Sequence, residues 1–346
     1  MRGFSHRRGR FASIESLAVG LLTIGWPSSA SAHVKWFAHY DVAGSLQPLA
    51  AVLSPTFFLL FGCAILTLWL TCLIEGTAIG VTLLQTFARI GKAACPRTEE
   101  FLRACAGGFF VALWVLGGVI LTPELKTASP VIPWLQAAIA VGMFWRGGMF
   151  FSALGMVALF GIGIWNYGIF HMLDYPIFLG LAAYFALSSI GRNLFGLRPI
   201  DVARWGAGIT LMWASIEKWG FPEWTYPLLR QHPDIAMGWN PHFYMTAAGV
   251  IEFALAFGLL WTPLVRRLSA VVLAAMFISA VFEFGKIDAI GHSMIVAILV
   301  AILVDEEPSP PRLPSWLAPV MCCAAVTVTM LAYYGIHALI YGTVHV

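Results

Sequence analysis

Charge is what this sequence has least of. Only 11% of its 346 residues are Asp, Glu, Lys or Arg, against 60% hydrophobic, and the mean hydropathy is +0.82. A soluble domain cannot hydrate that much apolar surface, so the chain is expected in a lipid bilayer. The net charge of +3 is scattered over many loops, which leaves no basic patch for nucleic acid. No Gly-rich phosphate loop follows a strand pattern and no Walker-type lysine is present, which removes nucleotide chemistry. Glu-x-x-His pairs of the di-iron bundles are also missing.

Cysteine is scarce and one-sided. Of six, Cys95 falls in an expected inner loop, and Cys63, Cys72, Cys105, Cys322 and Cys323 fall in apolar runs. None lies in an expected outer loop, so no disulfide framework is implied.

What is present is a long series of apolar runs. Residues 1–32 read as a signal peptide: Arg2, Arg7, Arg8 and Arg10, then an apolar stretch from Leu17 to Trp26, then Ala30-Ser31-Ala32. About ten spans follow, all helical because open sheets cannot cross lipid. They are expected near 49–73, 104–122, 132–145, 149–166, 175–190, 202–219, 242–261, 264–284, 287–304 and 316–341. Charge orients them. Arg89, Lys92, Arg97, Arg103, Arg146, Arg192, Arg198, Arg204, Arg266 and Arg267 fall on the inner side, with few cations outside. This is the positive-inside pattern of a bacterial inner-membrane protein with its mature N-terminus in the periplasm.

The runs repeat. With Trp114 set on Trp213, Pro123-Glu124 falls on Pro222-Glu223, and Tyr167-Gly168 falls on Phe284-Gly285. The expected architecture is therefore all-α and polytopic. Two parallel four-helix repeats, 104–190 and 202–304, stand between the unit 33–103, with the first span, and a last span at 316–341. The halves differ in charge. Glu217, Glu252, Glu283 and His292 lie opposite Gly118, Leu135, Asn166 and Tyr175.

Ionisable groups inside spans are costly and tend to face an interior with work to do. Glu217, Glu252, Glu283 and His292 are thus the candidate catalytic set. Lys218, Lys286, Asp288, His171 and Asp174 are candidate ligand-binding groups around it. The plain alternative is packing, with Glu217 or Glu283 paired to Lys218 or Lys286. His171 and Asp174, three apart, read as an Asp orienting a His or capping the next span. His33 and His39 form a candidate copper site if cleavage follows Ala32, since a terminal amine and two imidazoles suit copper(II); otherwise they belong to an aromatic belt. The loop 220–241, with Trp224, Tyr226 and Trp239, is a lid, a docking surface or a bilayer anchor.

Three segments carry a family resemblance. Ile209-Thr-Leu-Met-Trp-Ala-Ser-Ile-Glu-Lys218, Gly249-Val-Ile-Glu252 and Arg267-Leu-Ser-Ala-Val-Val-Leu resemble the DoxX-like membrane proteins over residues 202–304. That family is a four-helix membrane bundle with a late lysine in its first helix, matched by Lys218. A Gly-x-x-Glu opens its second helix, matched by Gly249 and Glu252. The resemblance implies a redox-associated, quinone-linked subunit with a periplasmic or membrane redox partner. Glu252 and Glu283 would accept protons, and His292 would serve as ligand or proton donor. Two other readings stay open: a periplasm-facing copper-binding or transport protein, and a structural partner of an envelope complex.

Overall fold

The computed structural model describes residues 34–94, 97–193, 195–305 and 313–342. The signal peptide and His33 lie outside the described residues. Among those described there is no strand, only an isolated bridge between Val119 and Lys126. Eleven helices of twelve residues or more carry the fold: α1 (Pro55–Glu75), α2 (Ala78–Ala94), α3 (Thr98–Leu116), α4 (Val131–Gly142), α5 (Gly148–Tyr167), α6 (Pro176–Ile190), α7 (Pro199–Gly220), α8 (Pro241–Leu259), α9 (Pro263–Phe284), α10 (Lys286–Val304) and α11 (Leu317–Tyr341). Six of them, α1, α5, α8, α9, α10 and α11, are long and apolar enough to cross a membrane. Together they define a multi-pass α-helical membrane protein. Of the rest, α4 has only 12 residues, and α7 carries Asp201, Arg204, Glu217 and Lys218.

Three boundaries differ from the sequence reading, each for a local reason. The first span begins at Pro55 rather than at residue 49. Proline has no N–H to donate, and Ser54 Oγ accepts from Phe57 N at 3.3 Å, so a new helix starts there. The stretch expected as a loop after it contains α2, which packs on α1, α9 and α10. Thr77 Oγ1 accepts from Gly80 N at its start, and Arg267 donates to Leu84 O at 3.1 Å. Finally, α3 stops at Leu116 because Gly117 and Gly118 adopt φ of 66° and 64°, a left-handed region open to glycine. The chain then folds into a buried loop, with Ile120, Leu121 and Leu125 inaccessible. Gln136 Nε2 satisfies that loop by donating to Val119 O (2.8 Å) and Ile120 O (3.0 Å).

Sequential neighbours pack in two runs, α3 to α6 and α7 to α10. The runs meet twice, α6 against α7 and α10 against α3. At the first contact the backbones touch: a Cβ on Gly180 would lie 3.0 Å from Gly206 Cα. Helix α1 leans on α8, α9 and α11, closing the side of the second run. The end of the bundle holding the C-termini of α7 and α9 and the N-terminus of α10 is called upper here. Residues 34–48 lie across it.

Candidate functional site

The upper end is organised by a lysine. Lys35 sits on a short 3-10 turn, Val34–Trp36, and its side chain is 2% exposed. Its ammonium pairs with Asp174 and with Glu217 Oε2, the latter at 2.5 Å. Trp224 and Tyr40 present their rings to the same ammonium at 5.3 and 5.7 Å, close enough for cation–π attraction. Burial disfavours the charge on Lys35, but Asp174 and Glu217 outweigh it and hold the group well above the ordinary lysine range. Burial, reinforced by Glu124, pushes the Tyr40 phenol up to about 12.

Beside this triad, His171 Nε2 lies 3.8 Å from Glu124 Oε1, both side chains almost inaccessible. The His171 ring packs against Tyr40 and Tyr167, at 5.5 and 5.4 Å. On the other side, Lys218 Nζ meets Glu252 Oε2 at 2.8 Å. His292 Nδ1 meets Asp288 Oδ2, one helical turn earlier on α10, at 3.0 Å. Trp36 and Phe277 each lie 4.7 Å from the His292 ring. Trp36 reaches it because residue 291 is glycine: a Cβ there would lie 1.9 Å from Trp36 Cη2. A cavity of about 50 Å³ joins the groups, bounded by Asp174, Lys218, Glu252, His292, Thr122 and Trp36.

These positions redraw the sequence-derived set. Glu217, Glu252, His292, Lys218, Asp288, His171 and Asp174 are brought together. Glu283 is not: it is 44% exposed and bonds His232 Nδ1 at 2.6 Å. At about 100° per helical residue it stands roughly 120° around α9 from Phe277, which faces His292. Lys286 opens α10 in solvent. Neither takes part in the expected pairings, because Glu217 pairs with Lys35 and Glu252 with Lys218. The N-cap position of α6 is Tyr175; Asp174 holds Lys35, and His171 faces Glu124. His39 is exposed, and no group of three metal-capable side chains occurs among the described residues.

Sequence reasoning missed Lys35, Glu124, Thr122 and Tyr40. Glu124 left a trace in Pro123-Glu124, which aligns with Pro222-Glu223. Lys35 left none, since its partner Asp174 is 139 positions away.

Among the described residues the cluster holds more carboxylates than cationic groups. Glu124, Asp174, Glu217, Glu252 and Asp288 are all buried, as are Lys35, His171 and His292; Lys218 is nearly so. Five carboxylates thus share one interior with two lysines and two histidines, and buried charges of this kind are costly unless paired. Comparison of the chain with protein-family models, curated proteins and solved structures finds no match.

Proposed function

We propose that this chain is a proton-handling subunit of a membrane redox system. In this reading it crosses the inner membrane of a bacterial envelope ten times, with its upper end in the periplasm. The observation that carries it is the gathering of five buried carboxylates with Lys35, Lys218, His171 and His292 among the described residues. A buried cluster of this kind exchanges protons when a neighbouring charge changes. Glu252 and His292 border the cavity and are the groups through which protons pass.

The redox and quinone-linked part rests on the resemblance of residues 202–304 to DoxX-like proteins. The cavity refines it. At about 50 Å³ it is far below the roughly 300 Å³ at which ligand pockets begin. Protons reach the cluster, and a quinone ring docks outside it.

Two features support the tandem repeat. Gly168 and Gly285, which the sequence alignment equates, both end their helices at positive φ, 82° and 73°. Each donates its N–H four residues back, to Ile164 O and Val281 O. The contacts α6 on α7 and α10 on α3 also relate the two runs in the same way.

The test is purification from bacterial membranes with bound quinone measured, followed by reduction of the quinone in a weakly buffered dye solution. With a two-electron reductant, each quinone reduced to quinol takes up two protons. Wild type is expected to retain quinone and to take these up rapidly, and Glu252→Gln/His292→Ala to keep the quinone and take them up about tenfold more slowly. Equal rates of uptake in both proteins would overturn the reading.

A further inference from the structure

We infer that the cavity between Asp174 and the Lys218–Glu252 pair is a binding site for a short chain of ordered water molecules. Thr122 anchors this chain, which carries protons between the two ion-pair groups. This deepens the proton-handling reading and rests on it for the word "carries"; the water site itself stands on geometry alone.

Size comes first. A buried water needs about 10–15 Å³ of space accessible to its centre, and the cavity offers about 50 Å³. A few waters fit; an organic ligand does not. Polarity is the second condition, because a buried water needs two to four polar partners. Asp174, Lys218, Glu252 and His292 border the cavity. So does Thr210, whose hydroxyl oxygen already accepts from Ile177 N at 2.8 Å.

Thr122 points most directly to an occupant. It is 2% exposed, borders the cavity, and its Oγ1 has no hydrogen-bond partner among the described residues. A buried hydroxyl left unsatisfied costs roughly 1–3 kcal/mol, and a water in the cavity removes that cost. The position of Thr122 is built for this. It follows the Gly117–Gly118 break, in the loop that Gln136 pins to the bundle.

The cavity also lies between groups that otherwise do not touch. Lys35 holds Asp174 on one side, and Lys218 holds Glu252 on the other. Direct hydrogen bonds link neither pair to the other in the described structure. Water supplies the connection by making and breaking O–H bonds only. A proton leaving one carboxyl group is taken by the first water, and a proton leaves the far water for the next acceptor. No electrons are exchanged. Thr122 is a positioning residue in this scheme, donating to or accepting from the chain without itself holding the proton.

Hydroxyl-radical footprinting by X-ray radiolysis tests it on the intact protein, because bound water generates radicals where bulk solvent cannot reach. Met294 and Tyr175 line the cavity and are 2% and 5% exposed. Both are expected to oxidise at rates comparable to Met237, which is 48% exposed. Thr122→Val should suppress that oxidation and slow quinone-linked proton uptake by about tenfold, and Thr122→Ser should restore both. Protected Met294 and Tyr175 in the wild type would show a dry cavity and end the inference, whatever the proton assay gives. Oxidation lost in Thr122→Val with proton uptake unslowed would end the proton path while leaving the proposed function standing. If the valine variant fails to fold, the wild-type oxidation pattern and the serine variant still decide.

Discussion

Lys35 is the residue on which the upper end depends. Removing one partner from a buried ion pair leaves an uncompensated charge and costs about 3–5 kcal/mol. Lys35→Met strands two carboxylates at once, Asp174 and Glu217. Its melting temperature in detergent should fall steeply, and adding Asp174→Asn should recover part of the loss. A double variant no better than the single one would show that the two residues are not coupled. The pH dependence has a definite sign. Lys35 is held above its ordinary value and Tyr40 is raised to about 12. In both, the folded state keeps a proton that the unfolded chain releases. Their contribution is complete below about pH 10 and is lost as pH rises through the folded values. Melting temperature between neutrality and strong alkali should therefore decline in wild type, and less in Lys35→Met. At this scale the sequence was informative where an ionisable group interrupts an apolar run. Glu252 and Lys218 were legible from their places in apolar runs, whereas Lys35 looked like an ordinary loop cation. Glu283 misled because it was judged by neighbourhood in sequence rather than by angle around its helix.

At the scale of elements, the segment 34–48 acts as a cover whose fit depends on two residues. Trp36 lies where any side chain on residue 291 would stand. Gly291→Ala should dislodge it at a cost of about 1–3 kcal/mol, the usual penalty of overpacking. Trp36→Leu in the same chain should return much of the stability. Limited proteolysis within 34–48, followed with thermal melts, reads both effects; a wild-type pattern in Gly291→Ala would show that the contact is not tight. Most helices were legible because long apolar runs in lipid have no other stable form. Their ends were less so. Ser54-Pro55 and Gly117-Gly118 are short signals inside apolar runs, and hydropathy averages them away. Helix α2 was hidden for a different reason: Arg89 and Lys92 read as an inner loop, although a basic residue such as Arg89 also suits the polar side of a helix at a membrane surface.

At the scale of the molecule, charge is sorted between the two ends. Arg198 bridges Asp201 and Asp305 at the lower end, and Arg103 and Arg146 lie near Glu99 there. The five carboxylates of the cluster gather at the upper end. In the proposed orientation the lower end is cytoplasmic. Gly238→Cys, in the upper loop, should then react with an impermeant maleimide in intact spheroplasts, and Gly196→Cys, at the lower end, only after the membrane is opened. The reverse labelling would invert the topology. The balance of the cluster could not be read from sequence, since its nine ionisable groups come from segments spread between positions 35 and 292. Only folding shows that they share one interior.

The central claim is that the cluster under Lys35 exchanges protons when a bound quinone is reduced. Infrared difference spectroscopy of the purified protein tests it directly, because a carboxyl group that gains or loses a proton changes its C=O stretch, and the band of the protonated form shifts in heavy water. The account predicts a carboxyl difference band on quinone reduction, removed by an amide substitution at one of Glu124, Asp174, Glu217, Glu252 or Asp288. A difference spectrum without such a band, or with a band that survives all five substitutions, would contradict it.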